Sequence, residues 1–182
     1  MRGWVWLSII IAMRLAGAAE PLEVSDIDGA KQRLFDAKPT VLVFILQDCP
    51  IANAFAPEIG RICETYKKKG VAFYVVYVDQ DLKAEDAKKH AKDFGYRCPA
   101  FIDSKRELIK RAQVTMSPEA AVFAADGTLK YRGRINDLYV DLGKKRNAAT
   151  THDLREALDA VLAGKEVKAA KTEAIGCVIA EK

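Results

Sequence analysis

The sequence has no Cys-x-x-Cys pair, only two histidines, no proline-rich or long polar stretch and no internal repeat. Four scattered cysteines and two histidines offer neither C-x-x-C nor H-x-x-x-H spacing, so no metal site and no bound cofactor are expected. Half of the residues are hydrophobic, which argues against a disordered chain. Long basic runs are also missing. The densest, Lys67-Lys68-Lys69 and Lys144-Lys145-Arg146, are three residues each, and basic residues elsewhere alternate with acids on helices; nucleic acid is not an expected partner. The longest apolar stretch, Trp4 to Met13, falls well short of the roughly 20 residues that a bilayer-spanning helix needs.

What is present begins with an export signature. Arg2 supplies a positive start, Trp4 to Met13 an apolar core, and Ala16-Gly17-Ala18 a small-residue cleavage box, although Arg14 interrupts the approach to it. Residues 1–18 are expected to be a signal peptide, with the mature chain starting at Ala19 or Glu20, exported and periplasmic or extracellular. No stable membrane span would remain. Their removal takes away two arginines and no acid and lowers the formal charge from +4 to +2. The remaining residues, 19–182, suit a single domain with a C-terminal tail at 165–182. The oligomeric state is left open.

Val41 to Leu46 is continuously apolar, as expected for a strand covered on both faces. It leads through Gln47-Asp48-Cys49-Pro50 into a helix whose Ile51, Phe55, Ile59, Ile62 and Tyr66 form one buried stripe, with Gly70 as its stop. A second strand is expected at 71–78, a helix at 85–94 closed by Gly95, a short strand at 99–103 and a short helix at 106–112. Residues 120–125 and 129–132 read as a hairpin about Asp126-Gly127. Thr151 is expected to cap a last helix running to about Ala163, with Leu154, Leu158, Val161 and Leu162 inward. The region 134–150 reads as polar and turn-like, and the tail shows no clear element. The order describes an α/β fold, a small mixed sheet flanked by helices.

Four motifs carry a family likeness: Cys49 to Glu58 (CPIAN-x-x-APE), Pro118 to Phe123 (PEAAVF), Tyr131 to Asp137 (YRGRI-[DN]-D) and Gly176 to Ile179 (GC-x-I). Together they resemble thioredoxin-like redoxins of the alkyl hydroperoxide reductase/thiol-specific antioxidant superfamily, over roughly residues 34–179. The resemblance implies a thioredoxin-like fold with a strand–helix insertion before a cis-proline. It places Cys49 on the attacking cysteine, Pro118 on the cis-proline beside it after Ser117, and Pro57 on the proline that bends the active-site helix. Asp48 and Pro50 flank the thiol. The departures are as informative. Ala52 stands where a disulfide oxidoreductase has its second cysteine, and Asn53 where a copper-delivery protein of this fold has one. Leu42 and Leu46 stand where a peroxiredoxin has a proline and a hydroxyl residue.

At a helix N-terminus a thiol is favoured as thiolate, while the neighbouring Asp48 opposes it. Cys63, roughly 21 Å along the same helix, is out of reach of Cys49 and reads as a buried small hydrophobe. Two pairings of Cys177 remain open: with Cys49, as a resolving thiol, or with Cys98, as a structural disulfide at the opposite end of the sheet. His90, beside Lys88 and Lys89, reads as a surface residue, and His152 as part of a polar cap. Tyr131-Arg132-Gly133-Arg134 reads as a solvated strand edge or a docking patch. The expected function is a thiol–disulfide oxidoreductase acting through Cys49 on an exported protein or a small-molecule thiol or disulfide, with an external reductant. A non-catalytic thioredoxin-fold binding module and a peroxiredoxin-like thiol peroxidase are the alternatives.

Overall fold

The computed structural model describes residues 20–180; the expected leader at 1–18 lies outside them. The described residues open with an antiparallel hairpin, β1 (Leu22–Ser25) and β2 (Lys31–Leu34), unanticipated from the sequence. Each strand has four residues and only two that turn inward, too few for a periodic signal. The turn is closed by the Asp26 carboxylate, which accepts the N–H groups of Asp28 and Ala30.

β3 (Thr40–Ile45) is buried along its whole length. It is followed by α1 (Pro50–Lys67), β4 (Ala72–Tyr77), α2 (Ala84–Phe94), β5 (Ala100–Ile102) and α3 (Glu107–Ala112). Then come β6 (Met116–Ser117), β7 (Glu119–Phe123), β8 (Leu129–Gly133), β9 (Tyr139–Asp141), β10 (Lys144–Lys145), α4 (Asp153–Leu162) and β11 (Cys177–Val178). The main sheet has the order β5-β4-β3-β7-β8; β3, β4 and β5 are parallel, and β7 and β8 antiparallel to their neighbours. This is the thioredoxin-like arrangement expected, with β5 and α3 inserted before the segment that contains Pro118.

Alternation along β3 divides the core. Val41, Val43 and Ile45 pack with Ile51, Phe55, Ile59, Ile62 and Tyr66 of α1 and with Leu154 and Leu158 of α4. Leu42 and Phe44 face the other way, onto Leu34 and Phe35 of the hairpin, Leu108 and Ile109 of α3, and Ile179 of the tail. The α1 stripe is therefore as its spacing implies. In α4 the inward face is shorter than expected: Leu154 and Leu158 are buried, but Leu162, in the last turn, is exposed.

Three other expectations change. Residues 134–150 hold the small β9–β10 hairpin, and the tail adds β11, antiparallel to β6. The residue preceding α4 is His152, which makes no side-chain cap; Thr151 Oγ1 instead donates to Asp153. Arg132 and Arg134 do not form a solvated edge or a free docking patch. Arg134 grips Asp153 through Nε and Nη2 at 2.9 and 3.1 Å, and Arg132 lies 3.9 Å from the buried Glu119.

Candidate active site

The end of β3 delivers Gln47, Asp48 and Cys49 to the start of α1. Cys49 is the residue immediately before the helix, in extended backbone, with Pro50 at the first helical position where no N–H is needed. The residue is 1% exposed. Across it runs the segment before Pro118, whose Ser117–Pro118 peptide bond is cis, as expected. The Cys49 thiol donates to the Ser117 carbonyl at 3.0 Å, and Ser117 Oγ accepts the Leu46 N–H at 2.7 Å, so the two segments are tied on both sides of the sulfur. Pro118 is buried beside them.

The second sulfur comes from the tail. β11 pairs with β6 so that Cys177 stands opposite Ser117, and the Cys177 thiol donates to Cys49 Sγ at 2.7 Å. Both cysteines are free thiols; a covalent bond would bring them to about 2.05 Å. Of the two pairings left open by the sequence, the structure brings Cys177 to Cys49 and not to Cys98. The tail does not end at the far edge of the sheet because β11 carries it back to β6. Cys98 lies instead in the same buried core cluster as Cys63, a neighbour not foreseen for it.

The environments of the two site thiols differ. Burial opposes ionisation of Cys49, but hydrogen bonding from Cys177, the nearby Ala52 amide and the Ser117 side chain together hold its pKa below the ordinary thiol value. Cys177 moves the other way: burial, its hydrogen bond to Cys49 and the charge that develops there push it up to about 11. One thiol is thus set to ionise and the other to remain its proton donor. Asp48 is exposed, and its charge is felt at Asp79 and His90. Pro57 lies on the exposed side of α1.

His90 is the residue most misread from sequence. It is 5% exposed and belongs to a buried chain behind the Cys49 turn. Asn53 Nδ2 donates to the Gln47 carbonyl at 3.0 Å, which orients the amide and leaves Asn53 Oδ1 to accept from His90 Nε2 at 3.0 Å. His90 Nδ1, 2.9 Å away, then accepts from the Tyr77 hydroxyl. Asp79 Oδ2 takes the Gln47 N–H at 3.0 Å. Desolvation lowers the His90 pKa, favouring the neutral ring that this pattern needs. α2 is so charged that its buried side reduces to Ala87 and His90, three residues apart, which left no apolar stripe to reveal it.

With this geometry in place, comparison with known proteins is informative. A sequence model of the AhpC/TSA family matches residues 16–132. The chain belongs to the AhpC/TSA family. Among solved structures, this family member is similar to an uncharacterized conserved protein from Geobacillus kaustophilus, with 28% identity, 91% of this chain and 90% of that one covered, and a TM-score of 0.75. A hypothetical protein from Sinorhizobium meliloti is similar at 24% identity, 90% and 92% coverage and a TM-score of 0.75. A secreted Mycobacterium tuberculosis disulfide oxidoreductase, homologous to Escherichia coli DsbE, shares the fold at 20% identity, 76% and 95% coverage and a TM-score of 0.56. A search of curated proteins finds no match.

Proposed function

We propose that this AhpC/TSA-family chain is a thiol–disulfide oxidoreductase in which Cys49 attacks and Cys177 resolves. The observation that carries the reading is the 2.7 Å approach of the two sulfurs, with the Cys49 thiol favoured for ionisation and the Cys177 thiol held protonated. Cys49 thiolate attacks one sulfur of a partner disulfide. A mixed disulfide forms, and the partner's other sulfur leaves as a thiolate that takes a proton from solvent. Cys177 then gives its proton to solvent and attacks Cys49 Sγ, closing the Cys49–Cys177 disulfide. The partner's first sulfur leaves and is protonated in turn. The partner has gained two electrons and two protons, and an external dithiol returns the protein to its reduced state. The substrate class is a disulfide on an exported protein or a small thiol compound, in keeping with the leader at residues 1–18. N-terminal mass spectrometry of native protein checks that part: a mature chain starting at Ala19 or Glu20 is expected, and retention of Met1 sinks export.

Two features weigh against peroxidase chemistry. Leu42, in place of the proline, faces the core from β3, and Leu46, in place of the hydroxyl residue, offers only its backbone N–H, to Ser117. The near-complete burial of Cys49 favours a second reading, a binding module without turnover. Reduction of insulin and consumption of hydrogen peroxide, measured on wild type, Cys49→Ser and Cys177→Ser, separate the three. The oxidoreductase reading expects insulin reduction abolished by Cys49→Ser and a trapped mixed disulfide in Cys177→Ser. Insulin reduction that survives Cys49→Ser rejects it, and inactivity of the wild type leaves the binding module.

A further inference from the structure

The chain's own tail covers Cys49 on one side, with the Cys177 thiol 2.7 Å from its sulfur. Ser117 and Cys177 both hydrogen-bond its sulfur, and of the two only Cys177 belongs to the tail. Upstream, the tail is fastened at Thr172, whose N–H donates to the Arg132 carbonyl at 3.1 Å and whose hydroxyl lies 2.7 Å from the Tyr131 hydroxyl. From there to Ala180 it is anchored by the buried Ala174 and Ile179, the Ile179 N–H donating to the Thr115 carbonyl at 2.8 Å, and by a two-residue ladder with β6. Val178, between these anchors, is 72% exposed. Short ladders with solvent on one side are the parts of a fold that open first.

The seat on β6 is tight at one position. A Cβ placed on Gly176 would lie 1.9 Å from the Ser117 carbonyl oxygen and 2.6 Å from its carbon, both of them backbone atoms that cannot yield as a flexible side chain does. Only glycine fits immediately before a cysteine whose sulfur reaches Cys49 in this register. An alternating pattern of contact with an exposed strand edge is how an extended segment is selected elsewhere in protein recognition.

We propose that Gly176-Cys177 is a resident occupant of the groove between β6 and Cys49 that a partner must displace, and that the seat it leaves favours a partner segment with glycine immediately before its cysteine. A partner reaches Cys49 by displacing the tail from β6, and the tail returns to its seat to resolve the mixed disulfide. The inference rests on the oxidoreductase reading for its chemistry but not for its geometry.

The test uses the full chain and Gly176→Val, with two peptide disulfides that differ only in Gly or Val before the cysteine, and a redox-inert peptide carrying Gly-Ser. Expected in wild type is slow iodoacetamide labelling of Cys49, and exchange at least tenfold faster with the Gly-Cys peptide than with the Val-Cys peptide. In Gly176→Val the tail cannot seat. Cys49 labelling is expected to rise at least tenfold, and the Gly-Ser peptide to bind more tightly than to wild type. Unchanged Cys49 labelling together with no preference for Gly-Cys overturns the inference while leaving the oxidoreductase reading intact. Tight binding of Gly-Ser with no exchange of either disulfide supports the groove and removes the oxidoreductase reading. Hydrogen exchange on the wild type does not depend on the variant folding. The amides of Cys177 and Ile179 are expected to exchange at least tenfold faster than those of β3 and β7, and equal rates would overturn the displacement.

Discussion

At the scale of single residues, the Cys177 thiol is expected to set the acidity of Cys49. Its S–H points at Cys49 Sγ and stabilises negative charge there, while burial works in the opposite direction. Cys177→Ala removes that donor, so the pKa of Cys49 should rise toward or beyond the ordinary 9.0. Thiolate absorbance titrated in the wild type and in Cys177→Ala checks it; a lower value in the variant contradicts the assignment. Cys49 as the candidate thiol was legible because a strand, a cysteine and a proline at a helix start form a local pattern. His90 was not legible. Its neighbours Lys88 and Lys89 describe the outside of α2, and its partners Tyr77 and Asn53 lie 13 and 37 residues away. Gly176 is visible in the sequence only as part of a motif, because its need for glycine comes from the backbone of Ser117.

At the scale of elements, α1 carries the support beneath the site. Ile59 is fully buried between β3 and α4 and lies three turns below the Cys49 end. Ile59→Ala is expected to destabilise the protein by about 2–5 kcal/mol, the usual cost of truncating a large core aliphatic residue and leaving a cavity. Leu162→Ala, in the exposed last turn of α4, should change stability by no more than about 0.5 kcal/mol. Urea unfolding of both variants measures the contrast, and equal losses would contradict this division of the core. The α1 stripe, the α2 stop at Gly95 and the β7–β8 hairpin were all readable from periodicity and turn residues. The β1–β2 hairpin, the β9–β10 hairpin and β11 were not. Their strands are two to four residues long, so pairing with a distant or irregular neighbour, rather than pattern, defines them.

At the scale of the whole molecule, Asp137 ties the β9–β10 excursion back to the start of α4. Its carboxylate accepts the Thr150 hydroxyl, the Thr150 N–H at 2.6 Å and the Thr151 N–H at 2.9 Å, with Arg146 Nε 3.2 Å away. Hydrogen bonding from the Thr150 hydroxyl and then the Thr151 amide, assisted by Arg146, holds its pKa below the ordinary 3.8. A depressed carboxyl stabilises the fold above its unfolded value and loses that contribution as pH falls through the folded one. Asp137→Asn should therefore be less stable than wild type at neutral pH, and the gap should close only below about pH 4; thermal unfolding from pH 7 to pH 2 reads this, and a gap independent of pH would exclude it. By itself the sequence determined the α/β class, the buried central strand, the helix that starts at Cys49 and the likeness that pointed to a cis bond at Pro118. Those follow from side-chain periodicity, backbone preferences and local motif, which are written in neighbouring residues. Tertiary structure alone decided which cysteine meets Cys49. Twelve residues of tail between Gly164 and Cys177 permit several destinations, and a two-residue ladder on β6, possible only where residue 176 is glycine, selects one.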